Sequence, residues 1–324
     1  MNNELQDTIE KLTENVSLSD LTRARDTLTM KYRNPLRFGK TQNLMISELE
    51  RLSYLVTRMP ATYAVVVDIF EKIKHQISDL HIESMLDLGA GPGTALFAAL
   101  EKFPELKHAH LIEKDPDLIK LGKLLSNSLA DKSCLDEWQI GNIRALNDLK
   151  QYDLVTISYA MNELETSDQK NLIEKAFKAA LKILVIIEPG SMEGFRLIKE
   201  TRDQLIKLGG KVIAPCPHSF QCPMPENDWC HFSKRLARTS THRQLKKGSL
   251  GHEDEKFSYI VVAKSDIGTS EDRIIAHPEK HSGHLSLRLC TKKNGIINKT
   301  LSKKDGELYK QARKLEWGDS FSSK

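Results

Sequence analysis

The sequence predicts an α/β fold: a largely parallel sheet with crossover helices, a helical region in front of it and a small β module behind. Three observations lead there. Short apolar runs at 85–88, 109–112, 154–158 and 183–187 lie a helix-length apart, which is how strands joined by crossover helices read. A glycine-rich turn follows the first of these runs and leads into an amphipathic segment. Beyond residue 265 the helical rhythm is replaced by alternating β-type runs.

In chain order, residues 1–80 form the helical region. Apolar residues recur at helical spacing from 18 to 77, Ser17 or Ser19 can cap the start, and Pro60 stands where a helix can restart. Residues 81–264 form the α/β domain. After its first four strands the pattern predicts a helix over 194–208 and two closing strands at 212–214 and 257–263, with residues 215–250 inserted between them. Residues 265–324 form the β module, where runs at 285–290 and 296–301 flank Lys293-Asn294-Gly295, a hairpin signal.

The 324 residues, 40% hydrophobic and 28% charged, are those of a globular protein, and the longest aliphatic run, 183–187, is far short of a membrane span. The acidic start Met1-Asn-Asn-Glu4 has neither the basic residues nor the apolar stretch of a targeting segment. The expected setting is a bacterial cytoplasm. Residues 211–324 carry 21 Lys and Arg against 13 Asp and Glu, although the whole chain is only +4. That asymmetry points to a polyanionic partner.

In Met85-Leu-Asp87-Leu-Gly89-Ala-Gly91-Pro-Gly93-Thr94, glycines at alternate positions let the backbone turn against a ligand, and the helix beyond them offers unpaired N–H groups. Glu113 ends the next strand, where a carboxylate can accept from ribose hydroxyls. The order Asp-x-Gly-x-Gly-x-Gly resembles the first motif of the class I S-adenosylmethionine-dependent methyltransferases, a Rossmann-like fold, over residues 84–264. The resemblance implies that S-adenosylmethionine is held by Asp87, Gly89, Gly91 and Gly93 at its methionine end, by Glu113 at the ribose and by Asn142 at the adenine, where Asp is more usual. It also places acceptor-side residues in Ser158-Tyr-Ala-Met-Asn-Glu-Leu164. There Asn162 is a candidate to hold an amine and Glu163 a candidate base or helix cap; the Asn-Pro-Pro-Tyr type motif of nucleobase amino-methylases is missing from this segment.

Five cysteines, an odd number, argue against a disulfide framework, and Cys216, Cys222 and Cys230 crowd into one short stretch with Cys290 the only later one. Zinc sites usually draw ligands in tight Cys-x₂₋₄-Cys pairs. None exists here, so spread-out thiolates suit an iron–sulfur cube, with zinc held by cysteines and His218 or His231 as the alternative. Cys134 reads as a small buried hydrophobe.

Longer strings carry a second resemblance. Arg58-Met-Pro-Ala-Thr-Tyr63, Cys216-Pro-His218, Cys222-Pro223, Trp229-Cys-His-Phe-Ser-Lys-Arg-Leu-Ala-Arg238, Glu253-Asp-Glu-Lys-Phe-Ser-Tyr259 and Ala312-Arg-Lys-Leu-Glu-Trp-Gly-Asp319 resemble the bacterial branch of the methyltransferase-like proteins of the mitochondrial small ribosomal subunit. The resemblance implies binding to the assembling small subunit or its RNA, and a four-iron four-sulfur cluster on Cys216, Cys222, Cys230 and Cys290. Two acid-free basic runs fit such a partner: Lys234, Arg235, Arg238, Arg243, Lys246 and Lys247, then six basic residues from Arg288 to Lys304. Three functions follow as expectations: an RNA or ribosomal-protein methyltransferase, a non-catalytic assembly factor on the same fold, and a small-molecule methyltransferase, which would leave the basic runs unexplained.

Overall fold

The structure, a computed structural model, describes residues 1, 3–33, 45–127, 135–146, 148–246, 248–265, 267, 271–293 and 295–322. The chain opens with helices α1 (Asn3–Thr13), α2 (Leu18–Arg33), α3 (Glu48–Thr57) and α4 (Met59–Gln76). Of the two expected caps, Ser17 is the one used: its hydroxyl accepts the Asp20 amide at 3.1 Å. Pro60 sits in the first turn of α4, where its missing N–H costs nothing. Tyr63, Val66, Ile69, Phe70 and Ile73 form the buried face of α4. Two buried ion pairs fix where the helices sit: Lys31 with Glu50 at 2.7 Å, and Arg51 with Asp115 at 3.1 Å. Pairs of this kind specify register more than they stabilise.

The central sheet takes its strands in the order expected of crossover units. They run β1 (Ser84–Leu88), α5 (Thr94–Lys102), β2 (His108–Glu113), α6 (Pro116–Ser126), β3 (Leu135–Ile140), β4 (Tyr152–Ser158), α7 (Thr166–Ala179), β5 (Ala180–Pro189), α8 (Met192–Lys207), β6 (Lys211–Ala214), β7 (Phe232–Ala237), α9 (Ser240–Leu245) and β8 (His252–Ala263). Across the sheet the order is β3-β2-β1-β4-β5-β8-β6, with β7 also paired to β8. Neighbours from β3 to β5 run parallel, and β8 runs antiparallel to β5, β6 and β7.

Central strands are buried on both faces, which is why 183–187 reads as one aliphatic run. Ile183, Val185 and Ile187 pack with the α4 and α5 side, while Leu184 and Ile186 pack with α7 and α8. Two elements depart from the sequence reading. β3, Leu-Asp-Glu-Trp-Gln-Ile, is an edge strand whose charges hide it among the apolar runs. Residues 215–250 are not a plain insertion: they contain β7 and α9, and β8 begins at His252, earlier than expected.

The second sheet is built from β9 (Asp272–Ile274), β10 (Glu279–Lys280), β11 (His284–Thr291), β12 (Gly295–Ser302) and β13 (Ser320–Phe321), with α10 (Gly306–Ala312) before the last strand. The expected hairpin is present, with Thr291 paired to Gly295; Asn294 lies outside the described residues. Leu285, Leu287 and Leu289 alternate inward along β11 onto Leu301 and Phe321. Arg273, 3% exposed, joins the two sheets by donating to the carbonyls of Pro215 (3.0 Å) and Gly318 (2.8 Å). Among the described residues no helix is long and apolar enough to cross a membrane.

Candidate cofactor cradle and thiol pocket

The strand order reverses between β1 and β4, and ligands in open α/β sheets bind at such a switch point, beyond the carboxyl ends of the strands. The glycine turn lies there. Gly89, Gly91 and Gly93 have φ of 74°, 55° and 82°, in the left-handed region. Their surroundings differ. A Cβ on Gly89 would lie 2.7 Å from the Cβ of Ala160, and one on Gly93 would lie 2.9 Å from the Trp138 ring. A Cβ on Gly91 meets no protein atom within 4 Å. Gly89 and Gly93 are therefore needed for packing, whereas Gly91 borders open space that a ligand can fill.

Glu113 is buried and holds the turn: one carboxylate oxygen accepts the Gly91 amide and the other the Asp115 amide, both at 2.9 Å. Burial raises its pKa. Asp87, 2% exposed, accepts the Thr156 hydroxyl at 2.6 Å through Oδ1, while its Oδ2 and the Thr94 hydroxyl are buried without partners. Burial pushes the Asp87 carboxyl up to about 7. These orphaned oxygens at the foot of an open turn suit the ammonium end of an amino acid. Asn142 uses its Oδ1 to cap the short turn Ile143–Ala145, accepting the Arg144 amide at 3.0 Å.

Beyond β4, Tyr159 takes a φ of 58°, rare for a residue with a side chain, and the turn Met161–Glu163 follows. Glu163 pairs with Lys114 at 3.1 Å, and its carbonyl accepts Arg144 at 2.8 Å. Next to this turn stands Glu188, a residue the sequence reading missed, and Asn162 is among the groups that act on its carboxyl. Glu188 ends β5, is fully buried, accepts the Met161 amide at 3.0 Å, and leaves Oε2 unpartnered. Burial pushes it up to about 8. The signal was an acid closing an aliphatic strand, Ile187-Glu188-Pro189.

The four cysteines converge. Cys216 follows β6, Cys222 and Cys230 lie on the loop before β7, and Cys290 comes from β11 of the other sheet, yet all four line one cavity. The lining also holds Arg202, Lys199 and apolar side chains that include Phe195, Met224, Ile275 and Ile296, and it contains no carboxylate. Burial and the neighbouring thiols hold Cys230 well above the usual thiol range and push Cys290 up to about 12. His218, 6% exposed, places Nε2 3.6 Å from the Cys290 sulfur. Among the described residues no three or more His, Cys, Asp or Glu side chains are arranged to hold a single metal ion. The donor set, four thiols around an apolar cavity, fits a multi-iron cluster, whose corners are farther apart than the ligands of one zinc. Cys134 lies outside the described residues.

Beside the cavity the two halves are clasped. Trp229 stacks on His231 at 5.2 Å, and Trp317 meets His231 and His277 edge-on at 4.7 Å. Asp228 accepts Arg288 at 2.6 Å. Trp229, Cys230, His231 and Trp317 all belong to the long strings singled out in the sequence.

The first basic run is acid-free only in sequence. The β7–β8 register sets Lys234, Arg235 and Leu236 opposite Glu255, Asp254 and Glu253, so cross-strand carboxylates supply counter-charges. Arg235 pairs with Asp254 at 2.7 Å, Arg238 and Lys246 share Glu253 at 3.1 and 2.7 Å, and Lys234 reaches Asp68 on α4 at 2.7 Å. Arg243 is exposed, and Lys247 lies outside the described residues. In the second run, Lys292, Lys293, Lys303 and Lys304 are all exposed.

The sheet order, the antiparallel β8 between β5 and β6, and the glycine cradle at the switch point define a class I methyltransferase fold, Rossmann-like, as the sequence predicted. The sequence model of the family described as mitochondrial small ribosomal subunit Rsm22 matches residues 48–322, and the chain belongs to that family. It is 24% identical to the human mitochondrial ribosome assembly protein METTL17, over 86% of this chain and 64% of that protein. It is 25% identical to a mitochondrial Rsm22-cox11 tandem protein of Schizosaccharomyces pombe, over 83% of this chain and 43% of that one. The chain thus spans less than two thirds of the length of these curated relatives. Among solved structures, magnesium protoporphyrin IX methyltransferase from Synechocystis PCC 6803 aligns over 76% of this chain and all of that one, with 11% identity and a TM-score of 0.44.

Proposed function

We propose that this chain is a methyltransferase-like protein that binds S-adenosylmethionine, carries a four-iron four-sulfur cluster and acts on or binds the small ribosomal subunit or its RNA during assembly, in the cytoplasm of a bacterium. The observation that carries the reading is the convergence of Cys216, Cys222, Cys230 and Cys290 on one carboxylate-free cavity, in a chain whose family is described by the small ribosomal subunit. The cofactor supplies an electrophilic methyl group. The chain's own residues bind and orient: Asp87 and Thr94 take the ammonium, Glu113 the ribose, and the turn around Gly91 lies against the methionine carboxylate. The four thiolates hold the cluster and thereby tie β11 to the loop before β7. Exposed basic residues, Arg243 in the first run and Lys292, Lys293, Lys303 and Lys304 in the second, supply phosphate contacts.

A second reading, a non-catalytic assembly factor, is favoured by the acceptor side. The Glu163 carboxylate pairs with Lys114 at 3.1 Å, so to act as a base it would first have to give up that lysine.

Anaerobic purification from cells tests the proposal. It should yield a brown protein with iron and inorganic sulfide that binds S-adenosylmethionine in calorimetry and crosslinks to small-subunit RNA. Stoichiometric zinc without sulfide would remove the cluster, absence of cofactor binding would remove the methyltransferase activity, and crosslinks spread evenly over cellular RNA would remove the ribosomal role. Methyl transfer from labelled cofactor to isolated small subunits separates the enzyme from the assembly factor.

A further inference from the structure

The thiol pocket contains a buried cation whose one carboxylate partner among the described residues is half exposed. Arg202 extends from α8 and is 2% exposed. Its Nη2 donates to the carbonyls of His218 (2.9 Å) and Phe220 (2.5 Å), which bend the loop between Cys216 and Cys222. It lines the same cavity as Cys216, its charge acts on that thiol, and its Nε is buried without a partner. Its carboxylate contact is the half-exposed Asp203, at 3.3 Å through Nη1. Arg273, 3% exposed and bonded to the carbonyls of Pro215 and Gly318, adds a second buried guanidinium whose charge also acts on Cys216.

A buried guanidinium without a buried anion costs several kcal/mol. The cavity lining offers no carboxylate and Asp203 is half in solvent, so an anion bound by the thiols would supply the buried counter-charge. An iron–sulfur cube held by four thiolates is a net anion, and its potential responds to charge and to hydrogen bonds at its sulfurs.

We propose that Arg202 is the positioning residue of this pocket: one guanidinium that shapes the 216–222 loop and, by its charge beside Cys216, raises the cluster's reduction potential. The inference rests on the reading that the pocket carries a cluster. When one electron passes from dithionite to the cluster, dithionite is oxidised and the cluster gains negative charge; Arg202 stabilises that added charge, and no bond to the protein is made or broken.

The test is a redox titration of the anaerobically purified full chain, followed by the paramagnetic resonance of the reduced cluster, for wild type, Arg202→Gln and Arg202→Lys, with iron and sulfide counted in each. At the potential where wild type is half reduced, Arg202→Gln should show a reduced-to-oxidised ratio about tenfold lower, equivalent to ~59 mV for a one-electron couple. Arg202→Lys, which keeps the charge, should stay near wild type while losing iron faster, because an ammonium lacks the fork that grips two carbonyls. An Arg202→Gln protein with full iron and the wild-type potential overturns the inference. If the Gln variant does not hold iron, a Lys variant loaded at the wild-type potential upholds the charge requirement, and equal loss from both reduces Arg202 to packing and sinks it. Wild-type protein without iron and sulfide would instead overturn the cluster reading itself.

Discussion

The cradle and the thiol pocket differ in how they are assembled. The glycine turn and both its acids lie within residues 87–113, one strand–helix–strand unit, and local hydrogen bonds hold it: the Glu113 carboxylate accepts the Gly91 amide in the ligand-free chain. The pocket needs β6, the loop before β7, α8 and β11 of the other sheet. Cys290 is buried and the other three cysteines are partly buried beside it, and the pocket's arginines lack buried carboxylates. A site closed by local hydrogen bonds is complete before its ligand arrives, whereas one that gathers like-charging ligands from distant segments is completed by its guest. The fold at the first site should therefore be indifferent to ligand, and at the second strongly coupled to it.

The largest expected effect breaks that coupling. Cys290→Ser removes the one thiol that the second sheet contributes, so iron and sulfide should be lost and the link between the sheets left to Arg273 and the Trp229–His231–Trp317 clasp. Limited proteolysis should then cut within 265–324 on the order of a hundredfold faster, as local opening becomes cheaper by about 3 kcal/mol. Cys134→Ser should change neither. An unchanged digestion pattern in iron-free Cys290→Ser protein would show that the protein's own contacts, Arg273 and the clasp, join the sheets without the cluster.

A smaller effect tests whether the cradle really separates fold from ligand. Gly89→Ala drives a methyl group to within 2.7 Å of the Ala160 Cβ at a φ of 74° and should destabilise by about 2–4 kcal/mol in denaturant melts. Gly91→Ala meets open space and should cost only the left-handed conformation, about 1–2 kcal/mol. Its added methyl group occupies the ligand's side, so cofactor affinity should fall on the order of a hundredfold, about 2.7 kcal/mol. Gly91→Ala protein that binds as wild type would place the ligand elsewhere on the turn.

The same difference explains what the sequence disclosed. The cradle is contiguous, so Asp87, the three glycines and Glu113 could be read as one unit, and the two-sided burial of β5 made its aliphatic run visible. The pocket was legible only as residue types: four cysteines suggested a metal, but nothing in their spacing revealed Arg202 or Arg273, which come from other elements and acquire meaning through contacts. Lys234, Arg235, Arg238 and Lys246 show the converse. A run without acids in sequence meets Glu253, Asp254 and Asp68 in space, because β7 was not recognised and its register with β8 could not be foreseen. Glu253 shows how tight that matching is: burial opposes its charge, yet hydrogen bonds from His242 and Lys246 hold it down to about 2. The exposed lysines of the second run, which no strand opposes in this way, are the better place to seek phosphate contact.

The smallest effect is a pH dependence confined to the cradle. Burial raises Asp87 to about 7 in the ligand-free chain, so below that pH the group carries a proton that an unfolded chain would release near 4. The folded state then binds more protons than the unfolded one between about 4 and 7, and this group's contribution to stability falls as pH rises through that window. Ligand binding has the opposite sign. A cofactor ammonium favours the ionised carboxylate, so binding below pH 7 must expel the proton, and affinity should rise by up to about tenfold per pH unit until it levels off above 7. Calorimetry in buffers of different ionisation enthalpy should count up to about one proton released at pH 6 and almost none at pH 8. Asp87→Asn should bind more weakly and lose this proton release, which distinguishes Asp87 from Glu188, raised to about 8 by burial at the end of β5. If proton release persists in Asp87→Asn and disappears in Glu188→Gln, the titrating group sits on the acceptor side, and the ammonium is not held where the orphaned Asp87 oxygen points.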